Sequence, residues 1–194
     1  MSAPPIILAS TSRYRAELLR RIIADFSQVA PDADESPRDG ESPAARATRL
    51  AAAKADAVAA GRRDALVIGS DQVAALGDTL LRKPGRIDIA REQLRASSGK
   101  TVDFYTALCV VDGRDGCHLP ALDHTRVVFR VLAEAEIDRY LEAERPLDCA
   151  GSFKAEGAGI ALFERIESED PTALVGLPLI ALARRLREAG VALP

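Results

Sequence analysis

Short apolar runs rich in β-branched residues alternate with stretches of helical periodicity along this chain, and that alternation confines it to the α/β class. Ile6-Ile7-Leu8-Ala9 reads as a short buried strand that leads through Ser10-Thr11-Ser12 into a helix expected from about Arg13 to Ile23, with Ser12 as N-cap. Phe26 to Ala30 reads as extended. The loop Pro31 to Glu41 concentrates Asp32, Asp34, Glu35, Asp39 and Glu41. Ser42-Pro43 opens a second helix and Gly61 closes it. Further on, a strand from about Leu66, a turn around Leu76-Gly77-Asp78-Thr79 and a helix from Ile87 to Ala96 are expected. Lys100 to Val111 and His118 to Val131 flank Asp112-Gly113-Arg114-Asp115-Gly116 as a long antiparallel hairpin, which makes the sheet mixed. A helix from Ala133 to Leu141, a Gly-rich passage from Gly151 to Gly159, a strand from Ile160 to Ile166 and a helix from about Leu179 to Ala189 complete the pattern. No internal repeat or low-complexity linker interrupts it.

A length of 194 residues suits one domain, residues 1–194, with enough chain to bury a sizeable core. The net charge of -3 gives no reason to expect nucleic-acid or acidic-membrane binding. Met1 to Pro5 carries no basic segment and the apolar run after it is too short for a signal peptide or a membrane span, so a cytoplasmic location is expected. Cys109, Cys117 and Cys149 are an odd set without CxxC spacing, which suits reduced thiols. His118 and His124 fall in the hairpin, far in sequence from the acidic candidates, and read as surface residues.

Three groups of residues could carry chemistry. The apolar run Val67-Ile68-Gly69-Ser70-Asp71-Gln72-Val73 places a carboxylate where a buried strand is expected to end, and binding or catalytic groups gather where strands run out into loops. Asp71 is therefore the first candidate acid; Glu35 in the charged loop and Glu156 in the Gly-rich passage join it. Ser10, Ser12 and Arg15 cluster at a strand-to-helix junction, where backbone N–H groups, hydroxyls and a guanidinium favour an anion, although a capped surface helix has the same look. The glycine frame of a P-loop is absent. Lys54 shares the face of Ala47, Leu50, Ala51, Ala55 and Val58, either snorkelling at the edge of the stripe or facing inward as an anion ligand. Lys83 is presented before Pro84 from a restrained loop. Carboxylates together with phosphate-binding cations are what Mg²⁺-dependent phosphoryl chemistry requires.

Leu8-Ala9-Ser10-Thr11-Ser12, with Arg15, Glu17 and Leu18-Leu19, resembles the opening signature of the Maf family. Asp34-Glu35, Lys54, Gly69-Ser70-Asp71, Lys83-Pro84, Ser98-Gly99, Thr106, Ala150-Gly151, Glu156-Gly157 and Val175-Gly176-Leu177-Pro178-Leu179 follow in that family's order, so the resemblance covers essentially the whole chain. It implies an α/β fold of the Maf/ITPase-like kind, an elongated mixed sheet flanked by helices with a deep substrate cleft between two lobes. It also implies a nucleoside triphosphate pyrophosphatase that cuts between the α- and β-phosphates. The family's proton acceptor falls on Asp71, as base, metal ligand or both. Arg15, Lys54 and Lys83 would surround the triphosphate, Ser10 and Ser12 its oxygens, and Glu35 the Mg²⁺ or Mn²⁺ ion.

The sequence departs from the commoner Maf pattern where Ser-Pro-Arg-Arg reads Ser12-Arg13-Tyr14-Arg15, where threonine becomes Gln72 and where glutamine becomes Glu156. These changes, with Phe104-Tyr105-Thr106, Gly151-Ser152-Phe153-Lys154 and Asp170-Pro171-Thr172, resemble the branch of the family that hydrolyses 7-methyl-GTP. A 7-methylguanine ring is cationic, so the face of Tyr14 would attract it where an arginine would repel it. Glu156 could accept from the N1–H and 2-amino groups of the base, and Gln72 could add an amide contact. The partner expected is a small-molecule nucleotide, with a homodimer plausible by resemblance. dTTP or UTP as substrate, or a non-catalytic role in septum formation, are the alternatives.

Overall fold

The computed structural model describes residues 4–193; the first three residues of the Met1 to Pro5 leader and the last residue lie outside them. Among the described residues a seven-stranded mixed sheet runs in the order β2-β1-β3-β5-β6-β7, with β4 paired to β3. The strands are β1 (Ile6–Ala9), β2 (Ser27–Val29), β3 (Leu66–Leu76), β4 (Thr79–Leu80), β5 (Thr101–Asp112), β6 (Cys117–Phe129) and β7 (Phe163–Glu167). Five α-helices accompany them: α1 (Arg13–Leu19), α2 (Pro43–Ala59), α3 (Ile87–Ser97), α4 (Glu134–Glu144) and α5 (Leu179–Glu188). β1 pairs in parallel with both β2 and β3, whereas β4 and β7 run antiparallel to their neighbours. The sheet is mixed, as the alternation of runs and the hairpin require.

Three boundaries differ from the sequence reading. α1 stops at Leu19 instead of Ile23, because the chain tightens there: the Arg21 and Ile22 amides bond to the carbonyls three residues back. Ile22 and Ile23 still pack against the core, which is why they continue the helical pattern. β3 runs on through Asp71 to Leu76, so Asp71 stands within the strand and not at its end. Val73, Ala74 and Ala75 remain buried, and Ala75 pairs with Leu80 of β4, which extends the strand past the polar residues. The stretch from Ile160 to Leu162 forms a 3-10 turn and β7 starts at Phe163. Gly159 packs so closely on Lys154 that a side chain there would collide with its carbonyl, and the tight turn that results precedes the strand.

Contacts divide the chain into two compact units. One holds the residues up to Asp71, Thr106–Asp123 and the residues from Asp170 on; the other holds Gln72–Tyr105 and His124–Glu169. In the first, alternation along β1, β3 and β5 sorts the side chains to two faces. Ile6, Leu8, Leu66, Ile68, Leu108 and Val110 pack with Leu18 and Leu19 of α1 and Leu179, Leu182 and Leu186 of α5. Ile7, Ala9, Val67, Cys109 and Val111 pack with Ala55 and Val58 of α2. The second unit centres on Phe104, Phe129, Phe153 and Phe163, whose rings meet edge to face with centroids 4.7 to 5.6 Å apart.

No helix among the described residues is long and apolar enough to cross a membrane. All three cysteines are unpaired, and burial pushes the Cys109 thiol up to about 11. Both histidines lie at the surface, as the hairpin reading expects. His118 joins β6 to α2: its Nε2 is 2.6 Å from Asp56 Oδ1 and its Nδ1 is 2.9 Å from the Gly116 carbonyl. Acceptors at both nitrogens favour the imidazolium, and its pKa is raised above 6.5, chiefly by the bond to Asp56. A raised folded-state value means that the stabilisation is complete below the unfolded pKa and disappears as pH rises through the folded one. We expect an NMR titration of His118 to move back toward 6.5 in Asp56→Asn. The stability difference between that variant and the parent should shrink between mildly acidic and alkaline pH; a constant difference would remove the pair from the pH response.

Candidate active site

The first unit gathers Glu35, Lys54 and Asp71, with Arg15, around β3. Gly69 and Asp71 project to the same side of the strand as Val67, toward α2. At Gly69 a side chain has no room: a Cβ would collide with the Ala51 carbonyl and stand 2.6 Å from the Ala55 nitrogen. The missing side chain lets α2 lie directly against the strand. Lys54, on the buried stripe of α2, thereby reaches Asp71.

Lys54 faces inward, which decides between the two readings its position allowed. It is 7 % exposed, and its Nζ donates to Asp71 Oδ1 at 2.6 Å and approaches Glu35 Oε1 at 2.9 Å. Asp71 is itself buried at 8 % exposure, whereas Glu35 reaches in from the exposed loop. A buried ammonium costs desolvation unless it is paired, and two carboxylates meet that need. One cation between two anions leaves these three side chains with a net negative charge.

Arg15 supplies a second positive charge. Its Nε donates to the Gly176 carbonyl at 2.8 Å and its Nη1 to Ser10 Oγ at 3.4 Å. Burial lowers its pKa, opposed by the negative charges of Asp71 and Glu35, which act on the guanidinium; it remains protonated. Ser12 caps α1 by accepting from the Arg15 amide at 3.4 Å, and Ser10 Oγ accepts from the Ser12 amide at 3.1 Å. Each hydroxyl keeps a proton it can donate. Tyr14 is half-buried, with the Arg13 guanidinium 4.7 Å from its ring centroid, so its face already attracts a cation.

Two residues absent from the sequence candidates hold the acidic loop. Arg46 donates to the Glu35 carbonyl at 2.7 Å, and Arg49 donates to the Ser36 carbonyl at 3.1 Å and to Glu41 Oε2 at 2.8 Å. The bond to Arg49 holds the Glu41 carboxyl below its usual range. The signal in sequence was the pairing of a charged loop with arginines on the helix after it. Arg46 and Arg49 lie beside the apolar stripe, where their reach back to the loop is a tertiary fact.

Gln72, Lys83 and Glu156 belong to the second unit. Gln72 is half-buried in β3 and Lys83 is exposed on the segment between β4 and α3, where the following Pro84 is buried. Glu156 is exposed on a turn of the Gly-rich passage, which α4 anchors: the Lys154 amide donates to the Tyr140 hydroxyl at 3.0 Å and its Nζ to the Glu144 carbonyl at 2.7 Å. The structure thus brings Glu35 and Asp71 each into contact with Lys54, with Arg15 acting on both carboxylates.

The family model described as Maf-like protein matches residues 5–189. The chain belongs to the Maf family. Among Maf relatives, a 7-methyl-GTP pyrophosphatase from Xanthomonas axonopodis pv. citri is 59% identical over 191 residues, covering 98% of this chain and 100% of its own. A protein of the same name from Xanthomonas oryzae pv. oryzae is 58% identical with the same coverage, and one from Cupriavidus pinatubonensis is 54% identical over 96% of this chain and 94% of its own.

Among the described residues no three His, Cys, Asp or Glu side chains form a ready metal cage. Glu35 and Asp71 nonetheless fit Mg²⁺ or Mn²⁺ in this Maf site. Their hard carboxylate oxygens are held to a common cation, and Mg²⁺ is typically bound through one or two carboxylates and substrate phosphates.

Proposed function

We propose that this Maf protein is a pyrophosphatase that hydrolyses 7-methyl-GTP to 7-methyl-GMP and pyrophosphate, acting on modified nucleotides in the cytoplasm. The observation that carries the reading is the buried Lys54 bridging Asp71 and Glu35, in a chain whose relatives bear that name over nearly their full length.

Asp71 accepts a proton from the water that attacks the α-phosphorus; the bond from that phosphorus to the bridging oxygen breaks and pyrophosphate leaves. Lys54 and Arg15, with Lys83 from the loop before Pro84, offset the charge of the triphosphate, and the hydroxyls of Ser10 and Ser12 donate to its oxygens. Positioning and charge neutralisation are what phosphoryl transfer asks of a protein. Glu35 and Asp71 would hold a divalent ion, which when bound supplies charge neutralisation and Lewis-acid polarisation of phosphate oxygens.

Tyr14, Gln72 and Glu156 select the base: the ring of Tyr14 attracts the cationic purine, and Glu156 accepts from its Watson–Crick edge. The test is a panel of 7-methyl-GTP, GTP, dTTP and UTP assayed for pyrophosphate release under one metal condition. Preference for 7-methyl-GTP is expected, and Tyr14→Arg with Glu156→Gln should reduce it by roughly tenfold or more, the worth of one good cation–π contact plus a charged hydrogen bond. A preference for dTTP or UTP would move the protein to another Maf specificity. No turnover of any triphosphate with Mg²⁺ or Mn²⁺ would favour a non-catalytic role.

A further inference from the structure

One backbone carbonyl ties the Arg15 side chain to the strand that carries Asp71. The Gly176 oxygen accepts from Arg15 Nε at 2.8 Å and from Ser70 Oγ at 3.0 Å, while Ser70 is fully buried and also 2.8 Å from the Ala107 carbonyl. A hydroxyl has one proton, so the two carbonyls share it and the contact to Arg15 is the undivided one. Gly176 has φ +121°, a conformation that side chains rarely adopt; its amide donates to the Ala173 carbonyl at 2.9 Å, but no side chain of its own fixes where its carbonyl points.

The turn around it does. Asp170 is 4 % exposed and accepts from the Ile180 amide at 2.6 Å and the Thr172 amide at 3.0 Å. Thr172 Oγ1 lies 2.6 Å from Asp170 Oδ1 and 2.9 Å from the Leu177 carbonyl, and it accepts from the Leu179 amide at 2.8 Å. The carboxylate and the Leu177 carbonyl share its single proton while its oxygen accepts from the Leu179 amide, so this one hydroxyl ties a residue before Gly176 to residues after it.

We infer that Thr172 is a positioning residue for Arg15, acting through the Gly176 carbonyl. This rests on the assignment of Arg15 to the triphosphate. An arginine whose Nε is held keeps its guanidinium plane fixed and presents its remaining N–H groups as a prepared fork, the geometry that bidentate phosphate binding uses. Losing the hydroxyl of Thr172 would let the 173–178 turn relax and the fork swing.

The test compares Thr172→Val, which keeps the shape and loses the hydroxyl, with Thr172→Ser, which restores it. Exchange of the Arg15 Nε proton, assigned with Arg15→Lys, is read by NMR and needs no ligand. Protection from solvent exchange is expected in the parent and Thr172→Ser and lost in Thr172→Val. The KM for 7-methyl-GTP should rise about tenfold in Thr172→Val, with no further rise when Arg15→Met is already present, because a misaligned clamp and an absent one lose the same contact. Thr172→Ala gives the same readouts should valine prevent folding. Unchanged protection and KM, or a full additive effect on top of Arg15→Met, would overturn the inference and leave Thr172 a scaffold residue. If the parent releases no pyrophosphate from 7-methyl-GTP, the functional reading fails, while the exchange measurement still decides whether Thr172 positions Arg15.

Discussion

Replacing Asp71 by asparagine is expected to lower pyrophosphate release by roughly 10²- to 10⁴-fold, the contribution of a positioned proton acceptor, while leaving a folded protein. Asparagine keeps an oxygen that can accept from Lys54 Nζ, but it cannot take a proton from water, and it removes one of the two negative charges on that ammonium. Lys54 retains Glu35, so the stability loss should be about 1–3 kcal/mol and not the full penalty of an unpaired buried charge. Pyrophosphate release and thermal unfolding measured on the same preparation separate the two effects. Near-normal turnover would take Asp71 out of the reaction; an unfolded variant would show that its pairing with Lys54 is chiefly structural.

The second large effect is expected from Gly69→Ala, a single methyl placed away from any substrate contact. Its Cβ would meet backbone atoms of Ala51 and Ala55, and backbone cannot swing aside as a side chain can. α2 must therefore move off the sheet. Overpacking of this kind costs about 1–3 kcal/mol, occasionally more. The displacement also carries Lys54 away from Asp71, and a shift on the order of 1 Å costs about 10²-fold in rate. The denaturant midpoint and kcat/KM should fall together, and the loss of activity should exceed what the folded fraction explains. Activity that follows the folded fraction alone would mean that the Lys54–Asp71 contact tolerates the shift.

The two predictions also mark how far the sequence could be read. Asp71 was legible because it follows a β-branched run, and binding or catalytic groups gather where such strands run out into loops. The strand-end position expected for it was wrong, since pairing of Ala75 with Leu80 carries β3 on to Leu76, a long-range fact that local composition does not contain. Lys54 stood out by its place on an apolar stripe, but helical periodicity gives a face and not a partner, so the snorkelling and inward readings stayed equal until α2 was packed against β3. Arg46 and Arg49 were passed over for the opposite reason: arginines at the edge of a helix stripe look like solvated surface, and only the folded loop places the Glu35 and Ser36 carbonyls within their reach. The fold class and most strands and helices followed from alternation, because burial on one face imposes a period on the sequence. The end of α1 and the start of β7 did not, because tight turns there are set by a few local hydrogen bonds.

Sequence by itself therefore determined the kind of chain this is, the order of its elements and the motif positions that mark it as a Maf protein, since all of these are written as residue types at fixed spacing. Tertiary structure alone decided that Lys54 lies between Asp71 and Glu35, that Gly69 makes the approach of α2 possible, and that Gly176 holds Arg15. Those contacts join residues from 17 to 161 positions apart, and a contact between distant residues depends on how whole elements pack, which no local pattern encodes.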